Sequence, residues 1–216
     1  MELSDRVIEI FKAIAQVPRQ SKHEAKISAW LADRAKSSGF EVERDDANNV
    51  IIRVPATKGY ENAPIIALQG HMDMVCEKTP TSTHNFDTDP IEVIIEGDWM
   101  HANQTTLGAD DGLGVALALA MAEDPNVEHP RLEIIITSDE ETGMTGAIAL
   151  KPESVQARIL LNLDSEDEGI FTVGCAGGRE TTSTLDLSRA PLVAGSRKVD
   201  IHVTGLLGGH SGCEIH

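Results

Sequence analysis

The sequence has no long apolar run and little positive charge, and both absences narrow the range of possible functions. No stretch approaches the roughly 20 consecutive apolar residues that a membrane-spanning helix needs. The first six residues lack the basic flank and the apolar core of a signal peptide, so we expect a cytoplasmic protein with no membrane partner. The formal net charge of −17 argues against nucleic acid as a partner, because backbone binding requires basic residues that displace counterions.

Cysteine is scarce as well. Cys76, Cys175 and Cys213 are odd in number and include no C-x-x-C pair, which indicates free thiols rather than a disulfide framework. The 35 acidic residues leave two interpretations open. They form a solvated surface that keeps the protein in solution, or some of them gather around cations.

The order of the predicted elements indicates an α/β fold. Buried strands are predicted at residues 65–68, 132–137 and 159–163, and helical patterns occur before residue 39 and at residues 113–122. Apolar strands that alternate with helices predict a three-layer α/β sandwich around a mostly parallel central sheet.

Local signals predict where elements begin and end. Ser21 and Glu24 have the spacing of a capping box, so we expect them to open the second helix. Asn48-Asn49 predicts a turn between two short strands. Residues 197–205 alternate between apolar and polar side chains, which predicts a strand exposed on one face. That strand would belong to a second domain, with a boundary near residue 187.

Polar side chains follow the ends of the predicted parallel strands and open the Ala-rich helix. They are His71 and Asp73, Asp110 and Asp111, Asp139 to Glu141, and Asp164. Sites in such sheets form outside the carboxyl ends of the strands, so we expect these clusters to converge on one rim. Histidine with several carboxylates and no cysteine suits zinc, manganese or cobalt, and the excess of oxygen donors suits a pair of ions.

Each of these residues also has a simpler interpretation. His71 fits a hydrogen-bonded surface histidine at a strand end. Asp110 fits a helix N-cap, and Glu140 with Glu141 fits the first turn of a helix, where carboxylates complement the helix dipole.

Five motifs, in this order along the chain, carry a family resemblance. They are GHMDMV (residues 70–75), TLGADDGLG (106–114), SDEETGM (138–144), LNLDSE (161–166) and GGHSGCEIH (208–216). The set closely resembles the two-zinc metallopeptidases that include aminoacylases, glutamate carboxypeptidase and carnosine-type dipeptidases, and it is most similar to the bacterial aminoacyl-histidine dipeptidases. The resemblance implies a zinc-peptidase-like fold and metal-dependent hydrolysis of dipeptides, most specifically Xaa-His, with an aminoacylase-like deacylase as an alternative.

The resemblance also implies four metal ligands. His71 and Asp164 would bind the first of two zinc ions, Glu141 would bind the second, and Asp110 would bridge both. Cobalt or manganese would suit the same donor atoms.

Three further residues receive catalytic roles from the resemblance. Asp73 would hydrogen-bond the imidazole of His71 and fix its tautomer. Glu140 would be the general base for a metal-activated water. His210 would contact the substrate from a lid domain and stabilise the oxyanion, often across a homodimer.

The resemblance places residues 1–187 in the catalytic metal-binding domain and residues 188–216 at the start of the lid or dimerisation domain. A full-length relative supplies a further histidine to the second ion, and no histidine of this sequence matches it. We therefore expect tighter binding of the first ion than of the second, and weak or absent peptidase activity. A catalytically deficient metal-binding fragment is the alternative to an active dipeptidase.

Overall fold

The structure is a computed structural model that describes residues 2–165, 169–174, 177 and 181–205. It divides into two units, residues 1–170 and residues 171–216. All the helices and strands of the described residues lie in the first unit.

A five-stranded sheet forms the centre of the first unit, with the strand order β1-β2-β6-β3-β7. The strands are β1 (Glu41–Arg44), β2 (Val50–Val54), β3 (Ile66–His71), β6 (Leu132–Thr137) and β7 (Ile159–Asn162), and a separate hairpin contains β4 (Val93–Glu96) and β5 (Trp99–Ala102). β3 runs parallel to both of its neighbours, β6 and β7. The α/β class is therefore confirmed.

The sheet is mixed, because β1, β2 and β6 pair in antiparallel fashion. The predicted turn explains the first of these pairings. Asn48 adopts a left-handed φ of 68°, and the Asp45 carboxylate accepts the backbone N–H groups of Ala47 and Asn49. A connection this short can only join antiparallel neighbours. The parallel half of the sheet is the half that carries the polar clusters.

Helices cover both faces of the sheet and give it three layers. The helices are α1 (Leu3–Ala15), α2 (Ala25–Ser37), α3 (Ala109–Glu123) and α4 (Thr145–Ala149), followed by a short 3-10 helix, Pro152–Ser154. On one face, Phe11, Leu31 and Leu119 pack with Ile134 and Ile136 in the main core. On the other face a smaller core includes Ile135 and Ala67, with Leu150 and Val155 packed against it.

Three expectations of local structure are wrong. Helix α2 begins at Ala25 without a side-chain cap bond, because Ser21 and Glu24 bond to distant loops instead of to the helix. Strand β7 is exposed rather than buried, since it forms the edge of the described sheet. The described segment 197–205 has no helix or strand, and no described segment pairs with it as a strand requires.

Among the described residues, no helix combines the length and the apolar character needed to cross a membrane.

Candidate metal centre

The sheet brings the polar clusters to one edge. His71 is the last residue of β3 and lies opposite Thr137, the last residue of β6. The acidic segment 139–141 follows β6 directly, and Asp164 follows β7 by two residues. Because the three strands are parallel, their carboxyl ends meet at this edge.

The imidazole of His71 is the buried centre of the cluster. Its Nε2 atom lies 2.9 Å from Oδ1 of Asp110 and 3.8 Å from Oδ2 of Asp164. Its Nδ1 atom lies 3.3 Å from Oδ1 of Asp73, close enough for an ion pair although the two atoms do not meet hydrogen-bond geometry. Carboxylates therefore flank both ring nitrogens.

Three side chains place donor atoms in one small volume. One donor atom each from His71, Asp110 and Glu141 lie within 4.8 Å of one another. Asp164 approaches the same imidazole nitrogen from the next strand. One imidazole with three carboxylates and no thiolate is a donor set that fits zinc, cobalt or manganese, so the residues present fit a divalent metal ion.

The carboxylate of Asp73 contacts the loop after β6 and Ser21 as well as the imidazole of His71. It is fully buried and accepts the backbone N–H groups of Glu140 and Glu141 at 3.1 and 3.2 Å. It also accepts the hydroxyl of Ser21 at 2.8 Å. Asp73 thus fixes the position of the segment that carries both glutamates, which sequence reasoning did not predict.

The start of α3 is irregular and frees Asp110 from a capping role. Gly108 occupies the N-cap position with a left-handed φ of 72°, and both Asp110 and Asp111 have non-helical backbone angles. No side chain caps this helix end. The Asp110 carboxylate reaches His71 instead, so the N-cap interpretation of Asp110 is wrong.

Asp111 belongs to one of the predicted polar clusters, but the sequence analysis gave it no role. Its buried carboxylate accepts the backbone N–H of His71 at 3.2 Å and so supports the last residue of β3. A methyl group at Gly70 or Gly114 would collide with this carboxylate. The available signal was the pair of glycines, Gly70 at the start of GHMDMV and Gly114 at the end of TLGADDGLG. Close packing around a buried carboxylate excludes a Cβ atom at both positions.

Burial and neighbouring charges raise the pKa values of two carboxylates and of the imidazole in this cluster. Burial raises the pKa of Asp164 to about 6, with a further contribution from Asp110, and burial with the charge of Asp164 raises the pKa of Asp111 to about 7. Burial would lower the pKa of His71, but the carboxylates of Asp73 and Asp110 outweigh it and raise that pKa to about 10. The cluster is thus rich in negative charge and favours any nearby cation.

Glu140 and Glu141 diverge although they are neighbours in the chain. Glu141 contributes to the donor cluster around His71. Glu140 lines a cavity of about 260 Å³ together with Asp164, Met144 and Leu160. One glutamate therefore faces the donor atoms while the other faces a space that a small molecule can enter.

Two expectations fall on residues that the structure does not describe. His210 lies outside the described residues, and so do Cys175 and Cys213. Cys76 is a free, half-buried thiol.

A comparison with family models identifies the protein family of this chain. Residues 67–208 match the model of Peptidase family M20/M25/M40. The chain belongs to this family. The matched range includes the donor residues, Glu140 and the strands that position them.

Individual M20 relatives extend this result. The cytosol non-specific dipeptidase of Escherichia coli (strain K12) is 47% identical over 208 residues, which are 96% of this chain and 43% of the relative. The crystal structure of aminoacylhistidine dipeptidase from Vibrio alginolyticus superposes with a TM-score of 0.74 at 42% identity and covers 78% of this chain and 35% of that one. Aminopeptidase PepT from Bacillus cereus ATCC 10987 gives a TM-score of 0.62 at 30% identity, covering 76% and 44%. This chain spans less than half the length of each.

Proposed function

We propose that this site binds divalent metal ions and hydrolyses dipeptides. The observation that carries the proposal is the convergence of donor atoms from His71, Asp110 and Glu141 within 4.8 Å, next to a cavity lined by Glu140. Membership of a peptidase family supports the choice of reaction.

Four residues would hold the metal, with zinc as the first choice and cobalt or manganese as alternatives. His71 and Asp164 would bind one ion, Glu141 would bind a second, and Asp110 would lie between them. The short distances from His71 Nε2 to both aspartates support this division. Bound ions would supply Lewis-acid chemistry, polarising the scissile carbonyl and increasing the acidity of water near neutral pH.

Residues of the chain transfer the proton of the attacking water. Glu140 accepts a proton from the attacking water and returns it to the leaving amine. Its backbone N–H donates to Asp73, which fixes the main chain of a residue that lines the cavity. Asp73 also keeps the ring of His71 oriented, since it lies beside Nδ1.

The substrate class follows from two relatives whose names differ in breadth. One is a non-specific dipeptidase and the other an aminoacylhistidine dipeptidase. We propose dipeptides as the substrate class and Xaa-His as the preferred members. Met144, Ala147 and Leu150 line the cavity beside Glu140, which offers apolar surface for a substrate side chain.

The other expectations remain proposals. His210 stabilises the oxyanion from a lid domain that begins near residue 188. The full-length form is a homodimer. The protein acts in the cytoplasm, as the name of the Escherichia coli relative suggests.

Metal content and hydrolysis, measured on the same preparation, test the function. We expect bound zinc and weak turnover, in which β-alanyl-histidine and glycyl-histidine exceed alanyl-alanine. Glu140→Gln should keep its metal and lose turnover by at least about 100-fold, the usual contribution of general-base catalysis. A metal-loaded protein that hydrolyses none of the three dipeptides would contradict the proposed hydrolysis and support the catalytically deficient metal-binding fragment.

A further inference from the structure

Arg19 is a buried cation in the loop between α1 and α2, with only 2% of its surface exposed. Its guanidinium donates hydrogen bonds to the backbone carbonyls of Met72 and Asp73, both at 3.1 Å, and to the carbonyl of Gly108. The first two carbonyls directly follow His71, and the third precedes Asp110 by two residues. One side chain therefore joins the two loops that carry the closest pair of donor residues.

The packing around this guanidinium is tight. A methyl group at Gly108 would collide with it, and one at Gly112 would lie 2.8 Å from its Nη2 atom. Both glycines belong to the loop and first turn that present Asp110. The backbone carbonyl of Arg19 also accepts the N–H of Met74 at 3.2 Å, so the main chain and the side chain of Arg19 both hold the segment after His71.

Two residues shortly after Arg19 also contact the site, one at Asp73 and one at the loop that follows β6. Ser21 donates to the carboxylate of Asp73 at 2.8 Å, and Glu24 accepts the backbone N–H of Asp139 at 3.0 Å. We call residues 19–24 the tether segment. It contacts the loops that carry His71, Asp110 and the two glutamates, although it contributes no donor atom itself.

The charge of Arg19 suits this position. Burial lowers its pKa to about 10, which leaves it charged near neutral pH. Burying a guanidinium is unfavourable unless its donors are satisfied. Its Nη1 and Nη2 atoms donate to backbone that carries site residues, while Nε has no hydrogen-bond partner among the described residues. An ammonium group could not span three carbonyls as the planar fork does.

We propose that Arg19 and Ser21 are positioning residues that hold His71, Asp73 and Asp110 at the separation a shared metal ion requires. This inference rests on the proposed metal binding. It assigns a role in that binding to residues that precede all five sequence motifs. Neither residue touches the metal or the substrate in this account.

The test compares zinc affinity, measured by competition with a chromophoric chelator, across a small set of variants. Arg19→Lys keeps the charge and loses the fork, and we expect it to weaken zinc binding by about 10-fold or more, the usual effect of residues that orient metal ligands. Arg34→Lys is the matched control. Arg34 donates two hydrogen bonds to the carboxylate of Glu123, at 2.8 and 2.7 Å, and to none of the donor residues. Its variant should therefore bind zinc within 2-fold of the wild type.

The visible spectrum of the cobalt-loaded protein separates positioning from general destabilisation. We expect the spectrum at saturating cobalt to change in Arg19→Lys and to stay unchanged in Arg34→Lys, even if both variants melt at a lower temperature. Ser21→Ala should weaken zinc binding less than Arg19→Lys does, and Ser21→Thr, which keeps the hydroxyl, should restore it. The Ser21 pair tests the inference independently if Arg19→Lys does not fold.

The outcomes separate this inference from the proposed function. Wild-type protein that binds zinc, with unchanged affinity and an unchanged cobalt spectrum in Arg19→Lys and Ser21→Ala, overturns the inference and leaves the proposed function standing. Wild-type protein that binds no divalent ion overturns the proposed function, and the inference with it.

Discussion

Oδ1 of Asp73 accepts the backbone N–H of Glu140 at 3.1 Å and lies 3.3 Å from Nδ1 of His71. A single carboxylate oxygen thus adjoins both the imidazole and the start of the segment that carries the two glutamates. Any change at Asp73 should therefore affect the donor atoms of two strands at once.

Asp73→Asn should weaken both folding and metal binding. The asparagine side chain keeps one acceptor oxygen and replaces the other with a donor, which would face backbone N–H groups or the hydroxyl of Ser21. We expect the metal-free protein to lose about 1–3 kcal/mol of unfolding free energy, measured by urea denaturation. Zinc affinity should fall by about 10- to 100-fold.

Glu133→Gln is the matched control for that variant. Glu133 is equally buried and accepts the backbone N–H groups of Gln156 and Ala157, both at 2.9 Å, but it lies near the opposite end of β6. We expect it to lower the unfolding free energy without changing zinc affinity. Zinc affinity that falls equally in both variants would show that stability, rather than the position of Asp73, controls binding.

Gly114→Ala should destabilise the protein although it lies in a helix. Alanine normally favours a helix over glycine by about 1 kcal/mol. Here the added methyl group would collide with the buried carboxylate of Asp111, whose Cγ atom would lie at 2.9 Å. We expect a net loss of about 1–3 kcal/mol by urea denaturation. Gly174→Ala, where the methyl group meets no atom within 4 Å, should be neutral, and a stable Gly114→Ala protein would refute the tight packing.

Divalent metal should raise the melting temperature, and a chelator should reverse the increase. Binding to the folded state alone contributes about 2.7 kcal/mol at a metal concentration 100 times the dissociation constant. Asp110→Asn should abolish most of this stabilisation. Because the chain carries a net charge of −17, nonspecific binding needs its own control.

Glu96→Gln supplies that control, since Glu96 forms an exposed pair with His101 at 3.6 Å. Its melting temperature should rise with metal as much as that of the wild type does. Equal stabilisation of wild type and Asp110→Asn would point to the acidic surface as the binding site.

The thiol of Cys76 should react slowly at pH 8. Burial raises its pKa to about 11, with a further contribution from Asp73, while Arg19 opposes the rise. A raised pKa leaves less of the reactive thiolate, so alkylation should be about 100-fold slower at pH 8 than in urea-unfolded protein and should increase with pH up to about 11. Peptide mass spectrometry follows Cys76 separately from the other cysteines. A rate that levels off below pH 9 would contradict the shift.

Strand periodicity was enough to predict the rim of the candidate site. The apolar runs that became β3, β6 and β7 ended in polar clusters, and the parallel pairing of these strands placed His71, Glu141 and Asp164 at one edge. The Asn48-Asn49 signal predicted the turn between β1 and β2, where Asn48 adopts a left-handed φ of 68°.

The contributions of Arg19, Ser21 and Glu24 could not be predicted. Local patterns describe neighbours in the chain, and Ser21 with Glu24 matched a helix cap better than anything else. Ser21 bonds to Asp73, 52 residues away, and Glu24 accepts the backbone N–H of Asp139, 115 residues away, as well as that of nearby Lys22. A loop side chain that satisfies a distant buried carboxylate or N–H group leaves no periodic signal, so only the folded structure reveals it.

Zinc affinity of two neighbouring variants, Glu140→Gln and Glu141→Gln, tests the central claim most directly. We expect Glu141→Gln to weaken binding by about 10-fold or more, because Glu141 supplies a donor atom beside His71 and Asp110. Glu140→Gln should bind zinc as the wild type does, because Glu140 lines the cavity and is not one of the three clustered donor residues. Equal loss in both variants, or no loss in Glu141→Gln, would contradict the division of roles between the two glutamates.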